Sequence, residues 1–207
     1  MHSNKISSLD KLRDWNKTRK ARIIFYQVTR QSTRKIVIGA NNVFQKDWIP
    51  VEINVLNILK EKDWKRYFKP NTIDAILAEH VWEHLTPEEG ITAAAFSYTY
   101  LKPGGYLRIA VPDGYHNNPL YLAQVKPGGS GPGSNDHKIL YTYKKLDYLL
   151  RYVGFNIKHL EYFDEHHRFH FTDWKKKDGF IRRSKRYDER NTKHALQYTS
   201  LIVDAIK

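Results

Sequence analysis

Residues 71–113, NTIDAILAEHVWEHLTPEEGITAAAFSYTYLKPGGYLRIAVPD, constrain the fold more than any other part of the chain, because they read as strand, loop, helix, tight turn and strand. The run Ile73-Asp74-Ala75-Ile76-Leu77-Ala78 is short and mostly apolar, the pattern of a strand buried on both faces of a parallel sheet. It stops at a cluster of ionisable groups, Glu79, His80, Glu83 and His84. In an open α/β sheet, ligands bind in the crevice beyond the carboxyl ends of the strands. Pro87 then opens a helix with Glu88 and Glu89 in its first turn, where acidic groups complement the helix dipole. Lys102-Pro103-Gly104-Gly105 closes that helix before a second buried strand, Tyr106 to Val111.

The remaining elements fit around this unit. Lys35-Ile36-Val37-Ile38 reads as a strand that ends at Gly39, and Pro50-Val51-Glu52 as the end of another. A helix is expected near Glu61 to Phe68, stopped by Pro70. Thr142 caps a further helix whose apolar face is Leu146, Leu149, Leu150 and Val153; Gly154 ends it and a strand follows from Phe155 to Tyr162. Leu9, Leu12 and Trp15 fall at helical spacing, so residues 1–34 are expected to form a helical cap on the sheet. Between Pro112 and Thr142 lies a long Gly/Pro-rich excursion, and a loop of that length in a compact domain is commonly functional. The expected fold is α/β: a single-domain, Rossmann-like, doubly wound sheet over residues 1–207, mostly parallel with an antiparallel last strand.

Composition narrows the function. A chain of 207 residues with 41% hydrophobic content can bury one substantial core. Cys is absent, which excludes disulfides, thiolate metal sites and a thiol nucleophile. No apolar run approaches the roughly 20 residues that span a bilayer, and the first residues lack the apolar core of a signal peptide, so a soluble, cytoplasmic protein is the expectation. The net charge of +13 concentrates at residues 17–22, 175–177 and 182–186. Such clusters attract anionic partners, although no nucleic-acid recognition module accompanies them.

The strand followed by HVWEHL, and the turn LKPGG running into YLRIAVPD, resemble the fourth and fifth strands of the class I S-adenosylmethionine-dependent methyltransferases. Lys35 to Asn42 is similar to the family's first strand and glycine loop, with one glycine where the family usually has two or three. Glu52 resembles the acid that ends the family's second strand and binds ribose hydroxyls. It stands thirteen residues after Gly39, against about 20 in the related dinucleotide fingerprint, so the intervening helix must be shortened or lost. Thr199 to Ile206 suits the final antiparallel strand. The resemblance implies S-adenosylmethionine as cofactor, held by Gly39, Ala40, Asn41, Glu52, Ile53, Asn57, Ile58, Glu79 and His80. The missing glycines disfavour a nicotinamide cofactor, whose pyrophosphate needs a glycine-rich helix start.

Methyl transfer to a hydroxyl requires alignment of the acceptor and removal of its proton. His137, after the Gly/Pro loop, and His116, after the fifth strand, are the candidate bases, with neighbouring Asp136 and Asp113 able to orient them. A second arrangement is His80-Val81-Trp82-Glu83-His84: on a helix, His80, Glu83 and His84 would share one face at a spacing able to hold a divalent metal. It is similar to the Glu-x-x-Glu-His arrangement of some metal-dependent methyltransferases of this class, with His80 replacing the first Glu. The pattern fits a metal without requiring one. The interleaved aromatic and polar run from Tyr162 to Trp174 reads either as one wall of an acceptor pocket or as a hairpin on the sheet edge. The whole pattern from VPDGYH to IRRSKRYDERN resembles small methyltransferases of glycan synthesis, which implies a sugar hydroxyl, such as one of rhamnose, as acceptor. The alternatives are a nucleic-acid methyltransferase, favoured by the charge, and a non-catalytic binding protein on this fold, favoured by the sparse glycine loop.

Overall fold

A computed structural model describes residues 33–40 and 45–207, together with Arg19. The expected helical cap over residues 1–34 and the candidate Asn41 therefore lie outside the described residues, apart from Arg19, Thr33 and Arg34. The strands are β1 (Lys35–Ile38), β2 (Ile49–Val51), β3 (Ile73–Glu79), β4 (Leu101–Pro112), β5 (Asn156–Phe163), β6 (Phe169–Phe171) and β7 (Ser200–Ile206). They form one sheet in the order β2-β1-β3-β4-β7-β5-β6. β2, β1, β3 and β4 run parallel, whereas β7 is antiparallel to both of its neighbours, β4 and β5. The expected antiparallel last strand is thus present, inserted between β4 and β5. The Tyr162–Trp174 run supplies β6, which closes an antiparallel hairpin with β5 at the sheet edge.

The helices are α1 (Glu61–Tyr67), α2 (Pro87–Tyr100), α3 (Pro119–Val125) and α4 (Tyr143–Val153). Three of them begin at a side-chain cap. Thr86 and Glu89 form a reciprocal capping box at the start of α2, Asn118 caps α3, and Thr142 caps α4. α4 stops at Gly154, whose φ of 113° suits a residue without Cβ. The LKPGG segment differs from expectation. It is part of β4, with the register of β3 and β4 shifting between Ile73 and Ala75, so it makes an irregularity within the strand instead of a turn before it.

Strands buried on both faces produce two cores. Ile36, Ile38, Ile76 and Ala78 face one, shared with α2 and α4 through Ala93, Ala94, Leu146 and Leu150. Val37, Ala75, Leu77 and Ala110 face the other, which is closed by Trp174 and Ile181 from the long segment between β6 and β7. That segment carries little regular structure and is fixed by polar anchors. Glu161, fully buried on β5, accepts from Trp174 Nε1 (3.0 Å), Lys185 N (2.7 Å) and Thr199 Oγ1 (2.5 Å). Arg108 on β4 donates twice to Asp204 on β7, at 2.6 and 2.8 Å, and once to the Gly179 carbonyl at 2.8 Å. Removing one member of a buried pair strands the other charge, whereas replacing both removes the problem. Asp204→Ala should therefore cost about 3 to 5 kcal/mol in urea unfolding, and the double variant Arg108→Met, Asp204→Leu should cost less than that single change.

Candidate functional site

The carboxyl ends of β1 and β3 open into a crevice of about 260 Å³, whose lining includes Gly39, Ala40, Glu79, His80, His84 and His137. Gly39 has φ of 62°, and a Cβ there would meet Val81 Cγ2 at 2.9 Å, so both backbone conformation and space require glycine. Its N–H donates to Val51 O at 2.9 Å, which sets the end of β1 beside the end of β2. Glu52 follows directly, and Ile53 next to it is 74% exposed. Residues 45–48 form a turn leading into β2, with Trp48 N donating to the Gln45 carbonyl at 3.1 Å.

Glu79 ends β3 with both oxygens engaged. Oε1 accepts from Arg183 N at 2.8 Å and Oε2 from Arg182 N at 3.0 Å. Gln45 clasps Phe180 reciprocally, its Nε2 donating to Phe180 O and its Oε1 accepting from Phe180 N. The segment Phe180–Arg183 is thereby held over the crevice, and Phe180, Arg182 and Arg183 line it. In sequence these arginines are only part of a basic run; the signal for their placement is a carboxylate at the end of β3, a hundred residues away in the chain.

The next wall is built by two segments stitched together. His80 has φ of 54°, so the chain turns sharply out of β3 and enters a single 3-10 turn, Trp82–His84, instead of the helix that would align His80, Glu83 and His84. The Glu83 carbonyl accepts from Lys138 N at 2.7 Å, which draws the end of the Gly/Pro loop onto this turn. His137 and His84 consequently meet edge to face, with ring centroids 4.8 Å apart. The side chain of Glu83 is fully buried between them and His80, whose Nδ1 lies 3.1 Å from Glu83 Oε1. That contact is an ion pair, and beyond it neither Glu83 oxygen has a hydrogen-bond partner among the described residues. Burial pushes the Glu83 pKa up, but attraction to His80 and His84 outweighs it and holds the group below its ordinary value.

Several expected roles need correction. Asp136 does not orient His137; it is exposed and pairs with His84 Nδ1 at 3.3 Å and with Lys138. His137 Nδ1 instead faces the Val125 carbonyl at 2.7 Å. His116 is absent from the crevice lining and is fully buried, stacked on Tyr121 at 4.0 Å and packed on Phe163. Asp113 is a structural tie, accepting from Tyr115 N at 2.9 Å and Phe163 N at 2.7 Å. Asn57 spends its Oδ1 on Leu59 N, and Ile58 is a core residue whose carbonyl accepts from Trp64 Nε1, so neither side chain lines the crevice. These groups turn inward because the loops after β2 and β4 carry polar backbone that must be satisfied where water is excluded.

With this geometry in hand, comparison with known proteins is informative at the level of fold. The sequence matches no family model and no curated protein. Among solved structures, an S-adenosylmethionine-dependent methyltransferase from Archaeoglobus fulgidus is similar with a TM-score of 0.50, at 17% identity, over 94% of each chain. A second from Thermotoga maritima, described as a possible histamine N-methyltransferase, gives 0.51 at 12% identity over 97% of this chain and 96% of its own. The chain has the fold of the S-adenosylmethionine-dependent methyltransferases. In this methyltransferase fold the residues that differ most from sequence expectation are the buried pair Asp113 and His116. Burial raises the Asp113 pKa to about 6 and pushes that of His116 down to about 4. Below pH 6.5 the unfolded chain protonates this histidine before the folded one does, so its contribution to stability is complete above pH 6.5 and is lost as pH falls toward 4. His116→Phe, which keeps the aromatic packing, should lose this term: in chemical unfolding at pH 7 and pH 4, the wild-type stability relative to the variant should fall by about 2 to 3 kcal/mol.

Proposed function

We propose that the protein is an S-adenosylmethionine-dependent methyltransferase that methylates a hydroxyl, and that its acceptor is a sugar of a glycan, rhamnose being the preferred example. The observation that carries the reaction type is His137 in the crevice wall with Nδ1 against a carbonyl. A carbonyl only accepts, so Nδ1 bears the proton and Nε2 keeps a lone pair for an acceptor hydroxyl.

A nucleoside-type cofactor is the natural occupant of this end of the sheet. Gly39 and Ala40 line the crevice and offer close backbone approach; Glu52, which follows the end of β2 beside Gly39, is the group proposed to accept from the ribose hydroxyls, with the exposed Ile53 next to it as an apolar face for a purine. S-adenosylmethionine supplies an electrophilic methyl group on a sulfonium sulfur. The protein's own work would be alignment and proton removal: His137 Nε2 would take the proton of an acceptor hydroxyl held in line with that methyl group. Glu79 and His80 frame the same crevice, with Glu79 acting through the segment it holds.

The presence of Arg182 and Arg183 in the lining favours a second reading, an anionic acceptor such as nucleic acid. A methyl-transfer screen over glycans and RNA separates the two, and steeply salt-dependent RNA binding would favour the second. Glu52→Ala should weaken S-adenosylmethionine binding by about 1.5 to 3 kcal/mol in calorimetry, the range for a hydrogen bond to a charged group; unchanged affinity would displace the ribose from β2. His137→Ala should lower the single-turnover rate by about 10² to 10⁴ while leaving cofactor affinity nearly intact, and full activity in that variant would end the histidine role.

A further inference from the structure

The His137 lone pair has company. Glu83, His84 and His137 each bring one potential ligand atom to within 4.8 Å of the other two. Glu83 and His84 come from the turn after β3 and His137 from the end of the Gly/Pro loop, and the bond from Lys138 N to the Glu83 carbonyl keeps the two segments in register. Both imidazoles are oriented through Nδ1, His84 by the Asp136 carboxylate at 3.3 Å and His137 by the Val125 carbonyl at 2.7 Å. That arrangement leaves Nε2 as the free nitrogen on each ring, and a carboxylate or carbonyl behind a histidine is the usual support of a metal ligand. The decisive group is Glu83. Its carboxylate is fully buried, its one charged contact is the ion pair with His80 Nδ1 at 3.1 Å, and neither oxygen has a well-formed hydrogen bond among the described residues, so a positive ion beside it would satisfy a group that the protein leaves under-satisfied.

We propose that Glu83, His84 and His137 bind a divalent first-row transition-metal ion. Two imidazoles and one carboxylate form a mixed nitrogen and oxygen set of the kind that suits zinc, iron, cobalt or nickel and leaves coordination positions open. Bonds of about 2 Å to a common ion require the three atoms to draw together slightly, and His84, half-buried on a single turn of 3-10 helix, is free to make that adjustment. His80, 3.1 Å from Glu83 Oε1, sits behind the carboxylate and orients it. The binding of the ion stands apart from the methyl-transfer reading; its catalytic consequence rests on that reading. In the ion-free protein His137 takes the acceptor proton itself. With the ion bound, that lone pair is occupied, and an acceptor hydroxyl on the open position is acidified by the ion and loses its proton to water.

The test uses the full-length protein, freed of metal with chelator and titrated with cobalt(II), read by visible absorption and calorimetry. One ion per chain is expected, with a visible spectrum of nitrogen and oxygen coordination. Glu83→Gln and His137→Ala should each weaken binding at least about 100-fold, and Asp136→Asn, which weakens the support behind His84 and an exposed contact with Lys138, about 10-fold. His166→Ala, an exposed histidine outside the cluster, should leave it unchanged. Circular dichroism accompanies each variant, and should Glu83→Gln fail to fold, His84→Ala carries the same expectation. Absence of stoichiometric cobalt binding overturns the proposal, as does binding that survives loss of His84 and His137. S-adenosylmethionine affinity measured on the same samples distinguishes this failure from failure of the methyltransferase reading: cobalt binding without cofactor binding sustains the metal site alone, and the reverse sustains only the cofactor site.

Discussion

Carboxylates at the ends of strands, accepting from the backbone of irregular segments, are the interaction on which the rest of this structure depends. Glu79 receives the N–H groups of Arg182 and Arg183, and Glu161 receives that of Lys185 together with Trp174 Nε1 and Thr199 Oγ1. A long segment with little regular structure has few ladder partners for its own N–H groups, and burying it would be prohibitive without such acceptors. Charge-assisted hydrogen bonds are about twice as strong as neutral ones. With these bonds in place, Trp174 and Ile181 close the second core, and the Phe180–Arg183 stretch becomes a wall of the crevice.

The same logic links fold to chemistry on the opposite wall. The Glu83 carbonyl holds the backbone of Lys138, so His137 arrives beside His84 as a consequence of main-chain bonding, before any side-chain preference acts. The two histidines are then turned at Nδ1, His84 by its ion pair with Asp136 and His137 by its hydrogen bond to the Val125 carbonyl. A ring nitrogen of each histidine and a Glu83 carboxylate oxygen lie within 4.8 Å of one another, and both histidines line the crevice that Gly39 also lines, where a side chain would not fit. A crevice of this kind, at the carboxyl ends of parallel strands, is where this class of sheet binds ligands.

Much of the fold was legible in the sequence because it rests on local signals. The apolar runs of β3, β4 and β7 have the pattern of buried strands, and Pro87 and the Thr142 cap mark helix starts locally. Gly39 was legible for the same reason, since a positive φ at the end of a strand is a local demand. The site was less so. Closeness in sequence pairs Asp136 with His137 and Asp113 with His116, but Asp136 ends a 3-10 turn and Asp113 opens a tight turn closed by the bond from His116 N to its carbonyl, so the local bends decide where these side chains go. Asp136 reaches His84 instead, and Asp113 ties two strand ends together. His80, Glu83 and His84 at helical spacing would share a face only on a helix, and the left-handed conformation of His80 removes that helix. The partners of Glu79 and Glu161 lie across the chain, and no local pattern announces them.

The central claim is that one crevice, bounded by Gly39, Glu52 and the Glu83–His84–His137 wall, holds both the nucleoside cofactor and the reacting hydroxyl. The most direct measurement is a crystal structure of the protein with S-adenosylhomocysteine. The account predicts the ribose hydroxyls on the Glu52 carboxylate, the purine against Ile53, and the sulfur directed toward the wall that carries His137. A nucleoside bound elsewhere, or one whose sulfur points away from that wall, would contradict it.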